Sequence, residues 1–237
     1  MSKKLDAILA AARTHAIDVI APNVDAWNAA KSWPRDASDK AGAAGLTGLY
    51  APEEFGGQGL PLSNGIQVYE QLGLGDGAYA FALSMHNICT FAGCGYGTDA
   101  FKEKWARDLT SGRKLANFAL TEPQSGSDPM KMYTRATVNG DGTWTISGSK
   151  AWVSLATEAD IYFTVVKTSD APGHKDMAMI AIPADAPGIS FGPLYDTPSY
   201  NFLPMSEMYL DKVVVSEDNL ILPIGQGLQG SLMAIDI

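Results

Sequence analysis

The run Phe118-Ala119-Leu120-Thr121-Glu122-Pro123-Gln124-Ser125-Gly126-Ser127-Asp128 collects small residues and hydroxyls at the end of an apolar stretch. Pro123 breaks the strand. Gly126 and its flanking serines carry little bulk, so backbone N–H groups there lie open to close approach by a ligand. The hydroxyls of Thr121, Ser125 and Ser127 can each donate and accept. This is chemistry for gripping a ligand, although composition alone fits an ordinary polar loop equally well. A second cluster, Lys150-Ala151-Trp152-Val153-Ser154, sets an indole two residues before a hydroxyl. Strand alternation puts Trp152 and Ser154 on one face. There they would offer a flat apolar surface and a hydrogen-bonding group to a planar ring. A core tryptophan beside an incidental serine is the competing reading.

Other constellations carry less. Gly225-Gln226-Gly227-Leu228-Gln229-Gly230 fits G-x-G-x-x-G. A dinucleotide site needs that turn between a strand and a helix, with an acidic residue about 20 positions on. Only seven residues follow Gly230, and the preceding strands do not alternate with helices. A loop leading into a helix is the better reading. Cys89 and Cys94 have C-x4-C spacing, which is not that of redox or zinc sites, and are expected as buried packing residues. His15, His86 and His174 share no metal-ligand spacing, so no metal site is expected.

The elements that must position the two clusters change character near residue 115. Before it, apolar residues recur at helical spacing: Leu5, Ile8, Leu9 and Ala12; Leu62, Ile66, Tyr69 and Leu72, with Ser63 as a candidate cap; and Phe101, Trp105 and Leu109, with Thr98 as a cap. Gly-rich and Pro-rich breaks separate them, notably Pro52 to Pro61. After it the period falls to two. Met132 to Val138 and Thr143 to Ser147 flank Asn139-Gly140-Asp141-Gly142, a hairpin signature. Ile161 to Thr168, Met177 to Ile182 and Met208 to Val215 are further strands, punctuated by Ala171-Pro172-Gly173, Pro187-Gly188 and Pro193 to Pro204. The expectation is an α+β chain: residues 1–114 an all-α domain, residues 115–224 a β-barrel or sandwich, and residues 225–237 the opening of a further helical region.

The chain has 237 residues, 46% hydrophobic and 18% charged, with a formal net charge of -9. That composition suits a folded protein and disfavours a general nucleic-acid binder. No targeting segment is legible and no run reaches the roughly 20 apolar residues of a membrane span. A cytoplasmic protein is the expectation.

The Phe118–Asp128 segment resembles the flavin-binding signature of the acyl-CoA dehydrogenase family, and Trp152-Val153-Ser154 resembles its second flavin segment. More of the chain agrees. Gly48-Leu49-Tyr50-Ala51-Pro52-Glu53-Glu54-Phe55-Gly56-Gly57 resembles the family's Pro-Glu-aromatic-Gly-Gly turn. Gly97-Thr98 to Trp105, then Gly112, resembles the helix and turn before the flavin segment. Val213-Val214-Val215 to Ile224-Gly225 resembles its last strand and exit loop. Thr197 to Pro204 departs from the pattern.

The resemblance implies FAD as cofactor and acyl-CoA as substrate, with α,β-dehydrogenation of the thioester as the reaction. Phe118, Ala119, Leu120, Thr121, Gly126 and Ser127 should line the flavin, with Thr121 on its pyrimidine side. Ser127 should also reach the acyl-CoA. Trp152 should pack on the ring, with Val153 beside it, and Ser154 should face the flavin N5 region where the family often has threonine. The family's base is a glutamate on a C-terminal helical bundle. This sequence shows no counterpart to that bundle, so no catalytic residue is assigned here, and Glu122 reads as loop structure. A chain or domain bearing the bundle is the implied partner, with an exposed apolar face and self-association as the expected consequence. The alternatives are a non-catalytic FAD or acyl-CoA binding module and an interaction subunit that binds neither.

Overall fold

The computed structural model describes residues 3–170 and 173–235; the Ala171-Pro172 part of the expected break lies outside the described residues. Its first half is helical. Helix α1 (Lys3–His15) buries Leu5, Ile8, Ala12 and His15 on one stripe, and a wide π-turn at Ala16–Ile20 extends it. Helices α2 (Val24–Ala30), α3 (Arg35–Ala43) and α4 (Gly65–Gly73) follow. Ser63 is not a cap: it sits within the turn Leu62–Asn64, and α4 begins after Asn64 without a side-chain cap. Helix α5 (Gly77–Tyr96) is capped by Asp76, which accepts the Tyr79 N–H. Helices α6 (Asp99–Phe101) and α7 (Arg107–Thr110) bracket a second wide turn at Lys102–Ala106. Thr98 does cap α6, accepting the Phe101 N–H at 3.0 Å.

The second half is one eight-stranded sheet in the order β6-β7-β3-β2-β4-β5-β8. The strands are β1 (Ala116–Ala119), β2 (Arg135–Val138), β3 (Thr143–Ser154), β4 (Ile161–Lys167), β5 (Met177–Pro183), β6 (Ile189–Phe191), β7 (Met205–Ser216) and β8 (Leu220–Leu222). β1 leaves that path and pairs in parallel with β4. The Asn139–Gly142 turn joins β2 to β3 as the sequence predicts, with positive φ at Gly140 and Gly142. The expected α+β organisation, a helical domain followed by a β domain, is present, and the sheet stays open because its three-residue edge strands β6 and β8 do not pair. The single pairing of Arg135 with Lys167 joins the two halves of the sheet. Those halves nevertheless share a core. Tyr162, Val166, Ile180 and Ile182 of β4 and β5 pack with Trp144, Ile146, Val213 and Val215 of β3 and β7.

The opposite face of β4 and β5 meets the helices. Phe163, Val165, Met179 and Ala181 pack with Cys89, Phe101, Trp105 and Leu109. Burial on both faces explains why β4 and β5 are almost continuously apolar rather than alternating. Helix α5 escapes periodicity for a related reason. It is small and apolar on nearly every side, as a helix enclosed by protein must be.

Two further contacts tie the halves together. Asp160 accepts from Arg35 Nη2 at 2.9 Å, Lys114 Nζ at 2.8 Å and the Leu115 N–H at 2.8 Å. Phe202, on the β6–β7 connection, is fully buried in a box of Trp27, Trp33 and Tyr79. The Gly225–Gly230 run forms a loop into helix α8 (Gly227–Ile235), as the discounted motif implies. No helix among the described residues is long and apolar enough to cross a membrane. Cys89 and Cys94 are buried free thiols.

Candidate functional site

Strand β1 delivers the first cluster. Its register beside β4 runs from Ala116 opposite Ile161 to Ala119 opposite Thr164. His86 of α5 fixes its start: Nδ1 accepts the Ala116 N–H at 3.0 Å, and Nε2 lies 3.0 Å from the Leu109 carbonyl oxygen. The ring must therefore be neutral, with its proton on Nε2. Burial lowers the His86 pKa to about 4. An unfolded histidine titrates near 6.5, so stability from this contact is complete above that pH. It is lost as pH falls from about 6.5 towards 4. Melting temperature followed against pH should be level above about pH 7 and decline through that window. A level profile down to pH 4 would contradict the assignment.

Beyond β1 the chain makes a tight turn, with Glu122 and Ser125 exchanging backbone bonds of 2.9 and 3.0 Å. Glu122 is 3% exposed. Its carboxylate accepts from the Tyr133 N–H at 2.6 Å, the Thr134 N–H at 3.0 Å, Gln124 Nε2 at 2.6 Å and Lys150 Nζ at 2.9 Å. Burial disfavours the charged carboxylate. The Lys150 ammonium and these bonds outweigh it and hold the Glu122 pKa below the usual carboxylate range. Glu122 is thus fully engaged in holding the loop.

The end of β3 delivers the second cluster, and here alternation fails. The ladder with β7 slips between Lys150 and Val153, and Trp152 takes φ 57°. This bulge throws the indole outward, 59% exposed, while Val153 and Ser154 stay buried at 1% and 6%. Trp152 and Ser154 therefore do not share a strand face as the sequence predicts. Bulges re-aim side chains in this way. The indole lies against Tyr195, ring centroids 4.5 Å apart.

The structure brings both clusters together. The Ala151 N–H donates to the Thr121 carbonyl at 2.8 Å, Asn117 Nδ2 donates to the Ser154 carbonyl, and Lys150 Nζ donates to the Leu120 carbonyl at 3.2 Å. Phe118 and Leu120 are half-buried against the helix-facing core. Ala119 and Val153 turn their side chains inward, which leaves their backbone as the available part. Gly126 and Ser127 are exposed and Thr121 is half-buried. Among the described residues, the Thr121 N–H, the Gly126 and Ser127 N–H groups, and the hydroxyls of Thr121, Ser127 and Ser154 have no protein partner. The two joined segments thus present unused polar groups on one and an exposed indole on the other. Sequence reasoning missed Tyr195 and Asn117. Tyr195 reaches Trp152 only through the β6–β7 connection, which no local pattern marks, and Asn117 sits inside an apolar strand.

Among the described residues, no group of three or more His, Cys, Asp or Glu side chains is placed to hold a metal ion.

Two family profiles match this chain. One is described as acyl-CoA dehydrogenase, N-terminal domain, over residues 2–113, and the other as acyl-CoA dehydrogenase, middle domain, over residues 117–213. The mitochondrial isobutyryl-CoA dehydrogenase of Dictyostelium discoideum is 32% identical over 215 residues, covering 91% of this chain and 51% of that protein. Butyryl-CoA dehydrogenase from Megasphaera elsdenii superposes with a TM-score of 0.92 at 28% identity, covering 100% of this chain and 63% of that one. A glutaryl-CoA dehydrogenase from Mycobacterium smegmatis, solved in complex with FADH2, superposes at 0.88 and 26% identity, covering 100% and 59%. This chain therefore spans about half to three-fifths of the length of these relatives.

Proposed function

This chain belongs to the acyl-CoA dehydrogenase family, and on that premise we propose that its open face is half of a site for FAD and an acyl-CoA thioester, serving α,β-dehydrogenation. The observation that carries this reading is the row of unpartnered donors at Thr121, Gly126 and Ser127, set beside the exposed Trp152 ring on a frame with its other bonds made. The residues fit a flavin. A Cβ built on Gly126 would meet nothing within 4 Å, so the approach to its backbone N–H is open. The FADH2 complex of the M. smegmatis relative supports the same cofactor.

Bound FAD would supply the hydride-accepting chemistry. The protein's part is orientation. Thr121 would hold the flavin through its N–H and hydroxyl, with Phe118 and Leu120 as walls and Ala119 and Val153 contributing backbone. Trp152 would pack on the ring and the Ser154 hydroxyl would offer it a hydrogen bond. Ser127 would donate to the acyl-CoA. A base must lie within hydrogen-bonding reach of the proton it takes. Glu122 is buried with its oxygens engaged and is not that base; the family resemblance implies a base on a helical bundle supplied by another domain or chain. The apolar groove between α5 and α8, about 390 Å³ and lined by Leu62, Phe91, Tyr96 and Leu222, supports such a partner. The proposed boundary after residue 114 falls between the two matched segments, which favours it.

The test is anaerobic addition of butyryl-CoA to the FAD-bearing chain. The expected result is binding, seen as a raised melting temperature, with the flavin band staying oxidised. Ser127→Ala should weaken butyryl-CoA about tenfold, the worth of one hydrogen bond of about 1.4 kcal/mol. Bleaching at enzymatic rates would put a base within this chain and overturn the half-site reading.

A further inference from the structure

The two segments of the site reach the open face from different pairings. β1 pairs with β4, whereas β3 pairs with β2 and β7. No ladder therefore runs between them, and a single backbone bond, from the Ala151 N–H to the Thr121 carbonyl, joins the end of one to the other. Lys150 adds a further bridge. Its side chain is 0% exposed and that of Glu122 is 1%. The ammonium donates to the Leu120 carbonyl and to Glu122 Oε1, the two residues that flank Thr121. Glu122 in turn ties down the return of the loop through the Tyr133 and Thr134 N–H groups.

We propose that Glu122 and Lys150 are positioning residues: their buried ion pair holds Thr121 in register with the Trp152 bulge and so sets cofactor affinity without touching the cofactor. The proposal rests on the flavin half-site reading above. Two charges removed from water are costly, and an apolar pair of similar volume often gives an equally or more stable fold. Buried pairs of this kind are instead suited to fixing one register among several. An apolar pair could not satisfy the Leu120 carbonyl or the Tyr133 and Thr134 N–H groups, which would then be buried without partners. The position of the pair supports the same role. It sits at the junction of the site where no ladder forms and the backbone supplies one bond, Ala151 N–H to the Thr121 carbonyl.

The experiment compares the unsubstituted chain with Glu122→Gln/Lys150→Met, which removes both charges together and leaves neither stranded. Glu122→Gln alone is the second variant, since it keeps an acceptor for the loop if the double variant does not fold. Three quantities are read: melting temperature, hydrogen exchange of single amides in the ligand-free chain, and FAD affinity. The Ala151 N–H, bonded to the Thr121 carbonyl, should exchange at least tenfold faster, while the β4 amides of Phe163 and Val165 keep their protection. FAD affinity should fall about tenfold in the same variant. An unchanged Ala151 amide overturns the proposal. So does faster exchange spread equally over β4, which is what a merely structural role would give, and so does a loosened Ala151 amide with unchanged FAD affinity. If the unsubstituted chain binds no FAD, the flavin reading itself fails, and the Ala151 amide alone decides whether the pair sets the register.

Discussion

Phe202→Ala should lower the melting temperature by roughly 10–20 °C. Truncating a buried phenylalanine costs about 3–5 kcal/mol, in lost transfer energy plus the cavity left behind. For a chain of this size each kcal/mol corresponds to roughly 2–4 °C. Phe202 belongs at the upper end because its surroundings are stiff. It is fully buried, with ring centroids 5.7 Å from Trp27 and 6.0 Å from Trp33, and Trp33 stacks on Tyr79 at 5.4 Å. Large rings already packed on each other cannot collapse into the space. The residue also carries the contact between the β6–β7 connection and the helices, where the exposed Lys31–Asp196 pair adds little. Differential scanning calorimetry measures the effect. A shift under about 3 °C would mean that the box closes without Phe202.

Trp152→Ala should do the opposite, with little effect on the fold and a large one on the ligand. The indole is 59% exposed, so its removal opens no cavity. Stacking of a planar ring on an aromatic side chain contributes about 1–3 kcal/mol by alanine substitution in other stacked systems. FAD affinity should therefore fall roughly 5- to 150-fold, at about 1.4 kcal/mol per tenfold. Melting temperature should stay within a few degrees of the unsubstituted chain. Equal FAD affinity in the two proteins would remove Trp152 from the site. A large drop in melting temperature would show that the indole packs against more than Tyr195.

Much of this architecture is legible in the residues. The Asn139–Gly142 turn, the Thr98 cap and the change of period near residue 115 are local signals, and each has a local physical cause. What stayed hidden was set by tertiary contacts. Helix α5 lacks an amphipathic stripe because it is enclosed. The edge strands β6 and β8 have three residues each, too few to show a period of two. The sheet stays open because its ends never pair, which no strand count reveals. At the site, both clusters were visible from their small residues, hydroxyls and indole. The outward turn of Trp152 was not, since it depends on a bulge against β7. The Glu122–Lys150 pair was equally hidden, since it joins the turn after β1 to β3, and β1 and β3 share no ladder.

In the proposed function the Phe118–Ser127 and Trp152–Ser154 segments together hold a flavin. Its most direct test is an FAD titration of the purified chain, followed by visible absorption after removal of free flavin. The predicted result is saturable binding of one FAD per chain, with a perturbed flavin band that Trp152→Ala weakens. A colourless protein at saturating FAD, or a band indifferent to Trp152, would contradict it.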